Sequence, residues 1–321
     1  MTIASPQKSR VGRSGAQTAG FLVSILFVTT STLSANAAET LKVASFSPIL
    51  TEIVQEIGGS HVNVAGLVKP GQDPHEYQPT PSDLKQAADA KLVLLSGKHL
   101  EHYLDKVREA TGGRVESIAV GDALPTLEMK AMPDVPQAKA AADQSGMIDD
   151  PHWWNSVTNV EKATAIVRDA LVKLDPADRG DYVKNATAYL AKLDTLNKWV
   201  KRKVAELPRD KRKLVTSHDA FQYLAKDYGF EVFAVEGVST ETEPSNRHVA
   251  ELIDDVKRQQ VKAIFLESTL NPKVSREITR ETGAKIGGSL YADGLGDGEG
   301  GTYEGMVRHN ISTIVDSLKS Q

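Results

Sequence analysis

The 321-residue chain contains no cysteine. That excludes disulfide cross-links, so stability must come from buried apolar cores. It also leaves no cysteine near Ala37 to carry a lipid anchor. Long apolar runs are missing too. The greasiest stretch, Ala19–Val28, is roughly half the ~20 residues that a membrane-spanning helix needs. Positive charge is not in excess, with 38 Lys and Arg against 42 Asp and Glu and a net charge of −4. This argues against a nucleic-acid partner, which would require a basic face.

Lys8, Arg10 and Arg13 precede the Ala19–Val28 run, and Ala35-Asn36-Ala37 follows it. A basic start, a short apolar middle and a small-x-small end predict a secretory signal peptide over residues 1–37, cleaved after Ala37. The mature chain is then expected to be soluble and periplasmic. Cleavage removes three positive charges and takes the net charge from −4 to −7. A mature chain of this size exceeds what one core usually supports, so two domains are expected.

Short β-branched runs alternate with longer helical patterns. Strands are predicted at Leu41–Phe46, Val62–Val68, Leu92–Ser96, Leu214–Ser217, Glu231–Val235, Ala263–Glu267 and Ile286–Tyr291. Helices are predicted at Ile49–Ile57, Ser82–Ala90, Leu100–Ala110, Phe221–Tyr228, His248–Gln259, Ser275–Thr282 and Tyr303–Leu318. Thr80-Pro81-Ser82-Asp83 has a hydroxyl cap, a proline at the first helical position and an acid in the first turn. This alternation predicts an α/β fold of mostly parallel sheets flanked by helices. Between the halves, apolar residues from Tyr182 to Val204 recur at three- and four-residue steps, predicting one long amphipathic helix. The expected division is an N-terminal lobe over 38–177, a rigid linking helix over 178–207 and a C-terminal lobe over 208–321. Pro125–Asp149 has no clear period and reads as a mobile loop running into His152. Asp293–Gly301 holds five glycines, read as a flexible approach to Asp293.

Three of the eight histidines stand in unusual surroundings. His75 and His152 each follow Asp-Pro, as Asp73-Pro74-His75 and Asp150-Pro151-His152. Proline restricts the backbone just before the imidazole, and the aspartate is placed to accept from the ring nitrogen that faces away from a metal. His218 and Asp293 each follow a predicted strand, and open α/β sheets gather ligands at the carboxyl ends of their strands. Taken singly, a histidine at a strand end is more often an ordinary hydrogen-bonded residue. His61, His99, His102, His248 and His309 are read as solvated; Glu76 and Glu267 are read first as ordinary surface carboxylates and second as neighbours of an ion. Trp153 and Trp154 are expected to wall the site or fill the lobe interface. Asp293–Gly298 brushes against a calcium-loop pattern but puts Leu295 where an oxygen ligand belongs.

Four ordered segments carry a family resemblance. They are Gly71-Gln72-Asp73-Pro74-His75-Glu76-Tyr77, Asp150-Pro151-His152-Trp153-Trp154, Ser217-His218-Asp219-Ala220-Phe221 and Tyr291-Ala292-Asp293-Gly294-Leu295. Glu243-Pro244-Ser245 and the Glu267–Gly287 stretch add to them. Together they resemble the ZnuA-like metal-binding solute-binding proteins of zinc and manganese ABC importers. The resemblance implies two α/β lobes joined by one long helix and a single metal ion between them. It also implies delivery of the ion to a membrane permease. A monomer is expected, and a periplasmic metal-donor protein is a further candidate partner. Carried over by position, the ligands are His75, His152, His218 and Asp293. Manganese members usually have a glutamate where this chain has His218. Three imidazoles and a carboxylate suit tetrahedral Zn2+ better than manganese, although copper(II) and nickel(II) also favour such a set. Many zinc members carry a histidine-rich stretch before the second signature. Here Pro125–Asp149 has no histidine. Two alternatives stay open at this stage: a binder of a siderophore or other organic ligand, and a zinc-dependent hydrolase with three histidines and an open water position.

Overall fold

The computed structural model describes residues 40–130, 144–240, 244–267 and 272–320. The predicted signal peptide, the centre of the 125–149 loop and Glu243 lie outside the described residues. Two four-stranded parallel sheets set the architecture. The first contains β1 (Leu41–Ser45), β2 (Val62–Gly66), β3 (Leu92–Leu95) and β4 (Glu116–Ala119), in the order β2-β1-β3-β4. All four residues of β3 are buried, as a strand covered on both faces requires. Val93 and Leu95 pack with Ala87 and Val107 from α2 (Pro81–Asp89) and α3 (Leu104–Thr111). Leu92 and Leu94 face the opposite way, into a cluster with Ile49, Ile53 and Ile57 of α1 (Pro48–Gly58).

The second sheet is built from β7 (Lys213–Thr216), β8 (Glu231–Ala234), β9 (Ala263–Glu267) and β10 (Lys285–Leu290), in the order β10-β9-β7-β8. Counted from its own first strand, this order is the same as in the first sheet. Both lobes therefore reverse strand order beside their first strand, between β1 and β3 and between β7 and β9. Such reversals open the crevice where α/β sheets bind ligands. Helices α6 (Gln222–Tyr228), α7 (Asn246–Arg258), α8 (Lys273–Thr282) and α9 (Tyr303–Lys319) complete the second lobe. Leu252, Val256 and Ile278 cover one sheet face, while Ile311, Ile314 and Val315 cover the other.

Between the sheets run α4 (Val157–Leu174) and the 26-residue α5 (Arg179–Val204). At 1.5 Å per residue, α5 spans on the order of 40 Å. Its buried residues, among them Tyr182, Tyr189, Leu193, Leu196 and Val200, belong to one apolar cluster that also takes in α1, α4 and α9. Helix α4 follows the same three- and four-residue spacing from its Ser156 cap, through Val160, Ala163, Val167 and Leu171. Sequence reading missed it.

Other differences have local causes. Helix α3 begins at Leu104, four residues later than expected, because Lys98 and His99 adopt positive φ of 53° and 63° and delay the helix. His99 and His102 therefore lie in an irregular segment, not on a helix face. The predicted α2 cap forms as a reciprocal box, with Thr80 accepting from Asp83 N and Asp83 accepting from Thr80 N. The ends of the 125–149 segment pair as a two-stranded antiparallel ladder, β5 (Glu128–Lys130) with β6 (Met147–Asp149).

Candidate metal centre

Each Asp-Pro-His motif closes the same turn. Asp73 Oδ1 accepts from His75 N at 2.8 Å, and Asp150 Oδ1 accepts from His152 N at 2.9 Å. An aspartate accepting from the amide two residues on is the local bond such motifs favour, and the intervening proline stiffens the turn. After His152, a 3-10 turn (Trp153–Asn155) leads to Ser156, which caps α4. Both tryptophans of this turn are buried. Trp153 donates to the Ser96 carbonyl at 3.1 Å and Trp154 to the Ala292 carbonyl at 2.8 Å.

His218 leaves the end of β7, and Asp293 follows β10 by three residues. The β10 exit is fixed by Asn310 of α9, which accepts from Tyr291 N at 2.9 Å and donates to Tyr291 O at 2.7 Å. Two of the glycines read as a flexible approach to Asp293 have a packing role instead. A Cβ on Gly296 or Gly300 would come 2.0 or 2.5 Å from the Tyr291 ring, so the loop needs glycine to wrap that ring.

The structure brings the four sequence-identified residues into one buried cluster, with their donor atoms all within 4.8 Å of one another. His152 Nε2 lies 3.0 Å from His75 Nε2 and 3.2 Å from His218 Nε2. Asp293 Oδ1 lies 3.6 Å from His75 Nε2, 3.5 Å from His152 Nε2 and 3.2 Å from His218 Nε2. His75 and His152 come from the first lobe, His218 and Asp293 from the second.

Behind the rings stand two buried carboxylates. Asp150 accepts from His152 Nδ1 at 2.8 Å. Glu267, at the end of β9, accepts from both His218 Nδ1 and His218 N. Of the two readings of Glu267, a surface carboxylate and a neighbour of the ion, burial excludes the first. The available signal was its place at the end of a strand beside the one that ends in His218. Glu76 is exposed, as expected. Asp73 bonds the backbone of His75 and not its ring, so only one of the two Asp-Pro-His motifs orients its own imidazole.

These neighbours shape the charge of the site. Burial disfavours protonation of His152, but its hydrogen bonds to Asp150 and Asp293 outweigh burial and raise its pKa. Burial opposes the charge on His218 as well. The carboxylates of Glu267 and Asp293 overcome this and lift its pKa well above the usual value. For Asp293, burial alone would favour the neutral acid, but the three imidazoles hold its pKa well below the ordinary carboxylate range. The cluster is thus an ionised carboxylate facing three proton-binding nitrogens, an arrangement that a divalent cation can enter by displacing protons. The other histidines lie elsewhere. His61 pairs with Asp178 and Asp181 at the start of the linking helix. His248 and His309 contact backbone carbonyls, and His102 contacts Gln78.

Buried donors of this kind between two α/β lobes mark a solute-binding protein whose solute is a metal ion. The family model described as "Zinc-uptake complex component A periplasmic" matches residues 43–317. The manganese-binding lipoprotein MntA of Bacillus subtilis (strain 168) is 34% identical over 314 residues, covering 94% of this chain and 99% of that one. The iron-binding protein YfeA of Yersinia pestis is 34% identical over 282 residues, covering 87% and 86%. Among solved structures, the periplasmic zinc binding protein TroA from Treponema pallidum superposes with a TM-score of 0.77 at 33% identity, covering 87% of this chain and 99% of that one. The chain belongs to this family of metal-binding solute-binding proteins of ABC transporters, which are not enzymes. Among the described residues, no helix is long and apolar enough to cross a membrane.

Proposed function

We propose that the chain captures one zinc ion between its lobes, with His75, His152, His218 and Asp293 as ligands, and delivers it to the membrane permease of an ABC transporter for import. The observation that carries this reading is the size of the donor cluster. Five of its six edges lie between 3.0 and 3.6 Å. A regular tetrahedron around zinc, with bonds of ~2.0–2.1 Å, has edges of about 3.3–3.4 Å. Three imidazoles and one carboxylate form a nitrogen-rich set that suits zinc, whereas manganese prefers more oxygen. Four protein donors also fill a tetrahedral shell and leave no position for the activated water of a catalytic zinc site.

The remaining parts of the proposal rest on the sequence patterns. Residues 1–37 export the chain to the periplasm and are removed. Residues 38–177 and 208–321 act as the two lobes, with 178–207 as a stiff connection that limits how far they part. The mature protein works as a monomer.

Native mass spectrometry with elemental analysis of protein purified without chelator tests the reading. One zinc per chain is expected, retained when manganese and iron(II) are offered in excess. Manganese or iron displacing zinc at equal concentration would overturn the choice of metal.

A further inference from the structure

The two Asp-Pro-His turns are locally alike, yet their aspartates are used differently. Asp150 spends Oδ1 on both the backbone and the ring of its own histidine. Asp73 holds the backbone of His75 with Oδ1 and turns Oδ2 to the other lobe, where it accepts from Thr240 Oγ1 at 2.8 Å. Thr240 lies in the loop that follows β8. Two residues before Asp73, Gly71 N donates to the Leu295 carbonyl at 2.9 Å, in the loop that carries Asp293. The segment presenting His75 is thus fastened to two separate loops of the second lobe.

The other three ligands are joined across the lobes in a different way. Asn155 donates to the Ala220 carbonyl at 2.9 Å and to the Ala292 carbonyl at 3.1 Å. The turn after His152 thereby holds the segments of both His218 and Asp293. Trp154 adds its own bond to Ala292 O, and Tyr303 donates to Trp154 O at 2.8 Å. These bonds are buried, whereas the Asp73–Thr240 bond is only part-buried.

We propose that the Asp73–Thr240 hydrogen bond is a clasp between the lobes that holds the His75 segment in place and sets how fast the bound ion leaves. Asp73 and Thr240 are positioning residues in this scheme. Neither contributes a donor to the cluster, and the proposal rests on the reading of that cluster as a metal site. With the clasp broken, of the two fastenings only the Gly71–Leu295 bond ties the His75 segment to the second lobe. His75 then swings away more readily while His152, His218 and Asp293 stay together, and the ion passes through a three-ligand state on its way out. Hydrogen bonds to a charged acceptor are among the stronger ones, and losing this one is expected to speed release by about tenfold.

The test is stopped-flow release of zinc from the full mature chain into excess EDTA, comparing wild type with Thr240→Val and Thr240→Ser. Thr240→Val is expected to release zinc about tenfold faster with an unchanged association rate, and Thr240→Ser to restore the wild-type rate. The absorption spectrum of the cobalt(II)-loaded variants should match wild type, because the ligands are untouched. Release from Thr240→Val at the wild-type rate would overturn the clasp and leave the metal site standing, as would equal acceleration in Thr240→Ser. A wild-type chain that takes up no zinc would instead overturn the functional reading, and the clasp with it.

Discussion

Glu267 grips His218 at two points, accepting from its backbone amide at 2.9 Å and from its ring Nδ1. The bond spans the ends of β7 and β9, where strand order reverses in the second lobe. It fixes the tautomer that leaves Nε2 facing the cluster, and its negative charge makes that nitrogen a stronger donor. Glu267→Gln keeps an acceptor oxygen but removes the charge. Zinc affinity is expected to fall by ~10–100-fold with the stoichiometry still one per chain. Competition titration against a chelating indicator reads both quantities, and an unchanged affinity would show that Glu267 merely supports the fold.

Protons should compete with zinc over a higher pH range than for an isolated imidazole near ~6.5. Burial opposes protonation of His152 and His218, but their carboxylate neighbours outweigh it and raise both pKa values. A protonated imidazole cannot bind metal. Affinity must therefore fall as pH drops, and the raised values move that fall above the ordinary histidine range. Asp293, held well below the usual carboxylate range, stays ionised throughout and does not set the slope. Calorimetry at pH 7 in buffers of different ionisation enthalpy should register protons released on zinc binding. An affinity that stays flat from pH 6.5 to 8 would contradict the assignment of these imidazoles as ligands.

Gly121 should not tolerate a side chain. An added Cβ would stand 2.3 Å from the Ser96 carbonyl oxygen and 2.8 Å from Trp153 Cδ1. Gly121→Ala is expected to cost about 1–3 kcal/mol of stability. It should also weaken zinc binding, because Trp153 is the residue after His152. Urea unfolding of the apo-protein measures the first effect and a zinc titration the second.

Glu52 of α1 joins three elements. It accepts from Tyr189 Oη of the linking helix at 3.1 Å and from Tyr303 N, at the start of α9, at 2.7 Å. Glu52→Ala leaves both donors without their acceptor and is expected to cost about 1–3 kcal/mol in a denaturant melt. A change of a few tenths would show that water replaces the carboxylate at this joint.

Much of this architecture was legible in the sequence because apolar period and helix punctuation are local. Seven strands and the Thr80–Asp83 cap could be read that way, and so could the linking helix. Strand β4 was not, since Glu116-Ser117-Ile118-Ala119 lies at a sheet edge and needs little apolar character. The β5–β6 ladder has only three residues per strand, too few to show a period. Helix α4 carried a readable signal and was passed over. At the site, the four donors stood out through their motifs. Glu267 did not, because its role depends on the pairing of β7 with β9, which no local pattern announces. The glycines after Asp293 look flexible in sequence, and only the packed ring of Tyr291 explains Gly296 and Gly300.

In the proposed function, three imidazoles and one carboxylate, drawn from both lobes, hold a single zinc ion. X-ray absorption spectroscopy of the zinc-loaded protein tests this most directly. Four nitrogen or oxygen neighbours at ~2.0–2.1 Å are expected, with outer-shell scattering from three imidazole rings that falls to two in His218→Ala. Six oxygen-dominated neighbours, or a spectrum unchanged in that variant, would contradict it.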